Sequence, residues 1–345
     1  MTSTLTLTEK RVARLAELTL TSGAVLRDVP VGYETYGRFT GHNAVLICHF
    51  FSGTSHAAGR YTPEDPLPGW WDPVIGPGRA IDTDRFYVVA IDALGCVRRD
   101  RPHGVTASAA GGPGFPVITI ADMVAAQRQV LDQLGVGKLV AVAGPSLGAM
   151  QALEWALSRP QDVPAVIAAI APLALQVRER GLYAAMCDAI RQDPAFNAGR
   201  YEPGTHLPGL ATAVKLMTLA AGGRALPGAP PLDHTDAFEV WLESEARVRS
   251  SFVDANAWLA MLQANMRWRP GSVDELADRL QARLLLIPGE ADALLPPEDY
   301  HAPLFDALVA RGKDVQAHFL PAEHGHLAGL AHIGAASEAI AAFLA

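Results

Sequence analysis

The sequence predicts an α/β chain: a mostly parallel central sheet carrying a helical insertion before its last strands. Three observations point there. Short apolar runs recur along the chain, helix-like stretches separate them, and between about 173 and 280 the alternation stops. The runs are AVLICH (44–49), FYVVAID (86–92), KLVAVAG (138–144), VIAAIAP (166–172), RLLLIPG (283–289) and VQAHFLP (315–321). Most are continuously apolar, as strands covered on both faces should be. Between them, IADMVAAQRQVLDQLG (120–135) places Met123, Ala126, Val130 and Leu134 near one helix face, with Gly135 to end it. LGAMQALEWALSRP (147–160) is a second helix, stopped at Pro160. Strands alternating with helices mean βαβ units. The stretch 18–37 reads instead as an antiparallel hairpin at the sheet edge. Within the insertion, 222–231 reads as a loop and 236–266 as helix for most of its length. The economical division is an α/β core at 1–172 and 281–345 and a helical cap at 173–280.

Composition removes several function classes. The 345 residues include 28 Lys+Arg and 36 Asp+Glu, so the net charge is 28 − 36 = −8. Half the residues are apolar and 19% charged, far from the composition of disorder. Binding a phosphate backbone needs a basic face. No basic run goes beyond the short group Arg98, Arg99 and Arg101, which could meet an anionic ligand but reads first as a solvated loop, so no nucleic-acid partner is expected. Cys48, Cys96 and Cys187 lie far apart, without CxxC or Cys/His ligand spacing. Neither a disulfide framework nor a metal site is therefore expected. Cys48, in an apolar run, reads as a small core residue. Charges at Glu9, Lys10, Arg11 and Arg14 interrupt the N-terminal stretch, and no apolar run reaches membrane-spanning length. A cytoplasmic protein without a membrane partner is the expectation.

The strongest local signal is Gly144-Pro145-Ser146-Leu147-Gly148, between a predicted strand and a predicted helix. That context suits a nucleophile elbow: a serine on a strained turn, glycines where strand and helix approach, and the helix N-terminus beneath. Such a serine needs a base and an orienting acid, in chain order serine, acid, histidine. After the late strand at 283–289 stand Glu290 and Asp292, of which Asp292 is preferred. After the last strand stand His324 and His326, of which His326 is preferred; His318 lies in the strand and reads as structural. The oxyanion hole needs two backbone N–H donors. Leu147 follows the nucleophile, and Phe51 occupies the turn His49-Phe50-Phe51-Ser52-Gly53 after the first parallel strand.

With these residues assigned, the chain resembles the homoserine O-acetyltransferase family of the α/β-hydrolase superfamily. The resemblance is carried by VGYETYGR (31–38), SHAAGR (55–60), PGWWDPVIGPGRAIDTDRFYVV (68–89), FPVITIADMVAAQ (115–127), MQALEWA (150–156), DAIRQDPAF (188–196) and FVDANAWL (252–259). It implies an α/β-hydrolase fold and transfer of an acetyl group from acetyl-CoA, as co-substrate, to a hydroxyl through an acyl-serine. It implies no bound cofactor, and a homodimer with the cap at the interface. The family triad maps onto Ser146, Asp292 and His326, and its amide donor onto Phe51.

The departures concern the acceptor. Where the family carries an aspartate after the catalytic histidine, for the homoserine amino group, this chain has Leu327. Where it carries a cap arginine for the carboxylate, this chain has Cys187, with Arg191 nearby. The Cys-x-Gly-Ser-Thr-Gly-Pro stretch becomes Cys96-Val97-Arg98-Arg99-Asp100. Each lost charge-assisted contact is worth roughly 1.5–3 kcal/mol, so two would weaken homoserine binding by about 10² to 10⁴-fold. The expectation is acyl transfer to an alcohol other than homoserine. Ester or thioester hydrolysis on the same triad is the alternative, and a non-catalytic binding protein on the same scaffold the third reading.

Overall fold

The computed structural model describes residues 7–223, 226–230 and 235–345. The expected loop at 222–231 thus lies partly outside the described residues. The chain opens with β1 (Arg11–Thr19), β2 (Val25–Tyr36) and β3 (Ala44–Cys48), then the short pair β4 (Ile75–Gly76) and β5 (Ile81–Asp82). There follow β6 (Tyr87–Ile91), α1 (Ile120–Gln133), β7 (Ala141–Pro145), α2 (Leu147–Ser158) and β8 (Ala165–Ala169). Helices α3 (Val177–Gln192), α4 (Pro208–Ala221), α5 (Thr235–Ser251), α6 (Ala255–Arg267) and α7 (Val273–Arg279) precede β9 (Arg283–Ile287). Then come α8 (Pro297–Tyr300), α9 (Ala302–Ala310), β10 (Val315–Ala317), α10 (Ala328–Ala331) and α11 (Ser337–Phe343).

Eight strands form one sheet in the order β1-β2-β6-β3-β7-β8-β9-β10. Only the β1–β2 and β2–β6 pairings are antiparallel. The edge hairpin is therefore present, but it starts upstream of the expected 18–37: Ala13, Leu15 and Leu18 turn inward, and the tight turn lies at Leu20–Ala24. The continuous apolar runs have a plain cause. Val45, Ile47, Val88 and Ala90 face one hydrophobic core, while Leu46, Cys48, Val89 and Ile91 face the other. Both faces are covered, so every strand position wants an apolar side chain. At the far edge β10 is only three residues long and half exposed, which blunts that edge.

Between β8 and β9 the regular elements are helical. The expected long helix at 236–266 is instead two. Val253 bridges to Arg98, and the Asp254 side chain accepts from Ala257 N–H to start α6 afresh. Among the described residues no helix is long and apolar enough to cross a membrane.

Candidate active site

The serine turn is shaped by sterics. Ser146 sits at φ 53°, ψ −115°, a conformation that costs a non-glycine residue free energy. A Cβ on Gly144 would stand 2.5 Å from Cys48 O, and one on Gly148 only 2.1 Å from it. Glycines at both positions let α2 cross close over β3. As the residue ahead of α2, Ser146 makes no capping bond with its side chain. Its hydroxyl is free for other work.

That hydroxyl meets His326, with Oγ 3.0 Å from Nε2. His326 Nδ1 lies 2.7 Å from Asp292 Oδ2. A carboxylate oxygen only accepts, so Nδ1 carries the ring proton and Nε2 accepts from the serine. Asp292 is buried, and its other oxygen accepts from Leu294 N–H and Leu295 N–H at 3.0 and 2.8 Å. The carboxylate is thus fixed from both sides. Its rival Glu290 is exposed. His326 is delivered by Gly325, at φ 55°, where a Cβ would stand 2.8 Å from Gly223 Cα. The expected pairing of His326 rather than His324 with the serine is what the geometry contains. His324 turns toward His332, and His318 Nε2 contacts Ala335 O.

The backbone N–H groups of Phe51 and Leu147 have no hydrogen-bond partner among the described residues, and both residues line the cavity above Ser146. His49 helps to aim the first of them. Its Nε2 accepts from Ala93 N–H at 2.8 Å, so Nδ1 is the protonated nitrogen, and it donates to Phe50 O at 2.6 Å. In a trans peptide the carbonyl and the next N–H point opposite ways. Holding Phe50 O therefore turns the Phe51 N–H away from His49. Burial pushes the His49 pKa down and keeps the ring neutral for this role. Asp92, ion-paired with Lys10, accepts from Ser55 N–H at 2.6 Å and anchors the same loop downstream.

The cavity holds about 600 Å³. Its wall is largely apolar, including Leu67, Ile170, Tyr183, Met217, Leu294 and Leu327. Cys187 is not part of it. On α3 it is Tyr183 that reaches the cavity, whereas Cys187, one turn on, is 2% exposed and packed in the core. Arg191, a further turn away, faces solvent. These two sequence candidates are corrected on that ground: the helix carries them past the cavity. Arg98 does line it, held by Asp100 at 2.6 Å and stacked over Phe252. Sequence reasoning missed Trp241, Glu245 and Arg249, which line the cavity from α5. Their i, i+4, i+8 spacing was the available signal. Arg249 donates to Thr218 Oγ1 at 2.6 Å; burial lowers its pKa, and Glu245 opposes that shift.

Comparison with known proteins follows the same lines. The family model described as alpha/beta hydrolase fold matches residues 43–303. A homoserine O-acetyltransferase of Symbiobacterium thermophilum is 39% identical over 84% of this chain and 83% of its own length. A homoserine O-succinyltransferase of Stutzerimonas stutzeri is 36% identical over 93% and 91%. Among solved structures, esterase E22 superposes with a TM-score of 0.91 at 33% identity, covering 98% of this chain and 100% of that one. The homoserine O-acetyltransferase of Bacillus anthracis gives 0.91 at 30% identity, covering 98% of both chains.

Proposed function

The chain belongs to the homoserine O-acyltransferase family of the α/β-hydrolase fold, and from that premise we propose that it transfers an acyl group through an acyl-serine formed on Ser146. In this scheme Ser146 Oγ attacks the carbonyl carbon of an acyl-CoA thioester while His326 Nε2 takes the hydroxyl proton. The developing oxyanion is met by the N–H groups of Phe51 and Leu147. Collapse breaks the C–S bond, and the departing thiolate takes the proton from His326. An alcohol acceptor then enters. His326 removes its proton, its oxygen attacks the acyl-serine, and the ester leaves as Ser146 regains a proton. Asp292 holds the imidazole orientation and stabilises the imidazolium. The scheme needs no resident cofactor, its co-substrate is the acyl-CoA, and it suits a cytoplasmic enzyme of small molecules.

The observation that carries this reading is the unbroken chain Asp292–His326–Ser146 at 2.7 and 3.0 Å beneath a large cavity. For the acceptor we propose an alcohol other than homoserine. A zwitterion needs its ammonium paired in a partly desolvated site, and Leu327 on the wall beside His326 offers it nothing. Cys187 lies outside the cavity, so Leu327 is the departure that favours an uncharged acceptor, while Glu245, Arg249 and Arg98 are the charged groups on the same wall that homoserine would have to use instead. A second reading, ester hydrolysis, has its own support in the likeness to esterase E22. The two differ in whether water reaches the acyl-serine.

One assay separates them. The purified protein is given acetyl-CoA with homoserine or a simple alcohol, and separately a chromogenic acetyl ester. CoA release that depends on the simple alcohol supports the transferase, and ester cleavage alone supports the hydrolase. Inactivity in every arm leaves a binding protein. Homoserine acetylation at roughly 10⁴ M⁻¹s⁻¹ or more, the ordinary enzymatic range, refutes the acceptor proposal.

A further inference from the structure

The loop that presents His326 carries a second group of side chains that the acyl-transfer scheme does not use. His324, two residues earlier, is in hydrogen-bond contact with His332 through Nδ1 and Nε2. Their ring centroids are 4.4 Å apart. Glu323 Oε2 lies 4.0 Å from each of these same two nitrogens. Among the described residues this is the group of three such donors close enough to share an ion, all within 4.8 Å of one another. Eight positions separate His324 from His332, too far for a contiguous ligand motif. Helix α10 closes the distance, and His332 N–H donates to Ala328 O at 2.9 Å to hold the turn.

We propose that Glu323, His324 and His332 form a binding site for a divalent transition metal, with Zn²⁺ the fitting ion. Two imidazoles and one carboxylate form a zinc donor set that leaves a fourth position open. That position is available, because the His332 and Glu323 side chains are 31% and 65% exposed. Zinc takes nitrogen and oxygen at roughly 2.0–2.2 Å. The exposed carboxylate swings inward to reach that distance, and the two rings open slightly. The backbone between the ligands needs little change, since Gly325 is already wedged against Gly222 and Gly223. A bound ion ties residues 323–324 to 332 across the Gly325–His326 turn, so it clamps the segment that aims the proposed base. The site is independent of the acyl-transfer reading, and no step of that scheme passes through the metal.

The test uses the full chain in chelator-treated buffer, titrated with Zn²⁺ by calorimetry and with Co²⁺ by visible absorption. The expected result is one ion per chain with micromolar affinity and a cobalt d–d spectrum of low-coordinate type. His332→Asn and Glu323→Gln each weaken binding roughly tenfold or more, since even the loss of a partner that only orients a ligand typically costs about 10–100-fold. His326→Ala leaves the affinity unchanged, which separates this site from a zinc ion on the triad base. Absence of binding up to millimolar Zn²⁺ overturns the proposal. So does binding that survives His332→Asn, or binding lost in His326→Ala.

Discussion

Ser146 illustrates what one residue can demand of its neighbours. Its left-handed backbone is strained, yet glycines at 144 and 148 remove the clash that a side chain would add. Ser146→Ala is expected to abolish covalent labelling by a serine-directed fluorophosphonate and to leave only the small residual rate that binding and the oxyanion hole supply. Stoichiometric labelling of the variant would sink the nucleophile assignment. His326→Ala should behave like Ser146→Ala if Nε2, 3.0 Å from the serine Oγ, takes its proton as proposed. His324→Ala, assayed with a chelator present, should keep most of the activity. A reversed pattern for the two histidines would move the base by two residues.

At the scale of the element, α5 is where sequence reading fell short. It was legible as a helix, but nothing local says which of its faces looks into a cavity. Trp241, Glu245 and Arg249 share that face only because α5 docks over the site, in contact with α4. Arg249, part-buried and held by Thr218 of α4, faces the cavity with Glu245, where a charged side chain can pair with a polar group of a substrate. Arg249→Met and Glu245→Gln should therefore change KM for the acyl acceptor or ester by about tenfold, the value of one charge-assisted contact. The rate of fluorophosphonate labelling at Ser146 should change far less, because neither residue touches the triad. Equal loss of labelling in both variants would mean that α5 supports the fold of the site rather than its selectivity. The α3 helix teaches the converse. Aligned motifs suggested Cys187 for the substrate, but helical rotation puts Tyr183 at the cavity and Cys187 in the core.

For the whole molecule, stability should depend on pH through histidines kept neutral by burial. His301 is 3% exposed, and burial depresses its pKa to about 4. Its Nε2 accepts from Ala171 N–H at 2.9 Å, a bond that protonation breaks. The folded state thus binds this proton less readily than the unfolded chain, whose histidine titrates near 6.5. Stability is fully present above about pH 6.5 and is lost progressively as pH falls toward 4, by up to about 3 kcal/mol. His49 shifts in the same direction. Urea denaturation at stepped pH should show that decline, and His301→Gln should flatten it; a decline unchanged in the variant would assign it to other groups. The sequence by itself determined the α/β class, the parallel strands and the serine turn. Each of these is local: apolar runs, capping residues and a five-residue steric pattern act over a few neighbours. It also narrowed acid and base to two pairs of candidates, Glu290 or Asp292 and His324 or His326. Only the tertiary structure decided which histidine meets Ser146 and which acid meets that histidine, that Cys187 and Arg191 miss the cavity, and that α5 lines it. Those outcomes depend on how helices from distant parts of the chain rotate and dock, and the pattern of a single segment does not encode that geometry.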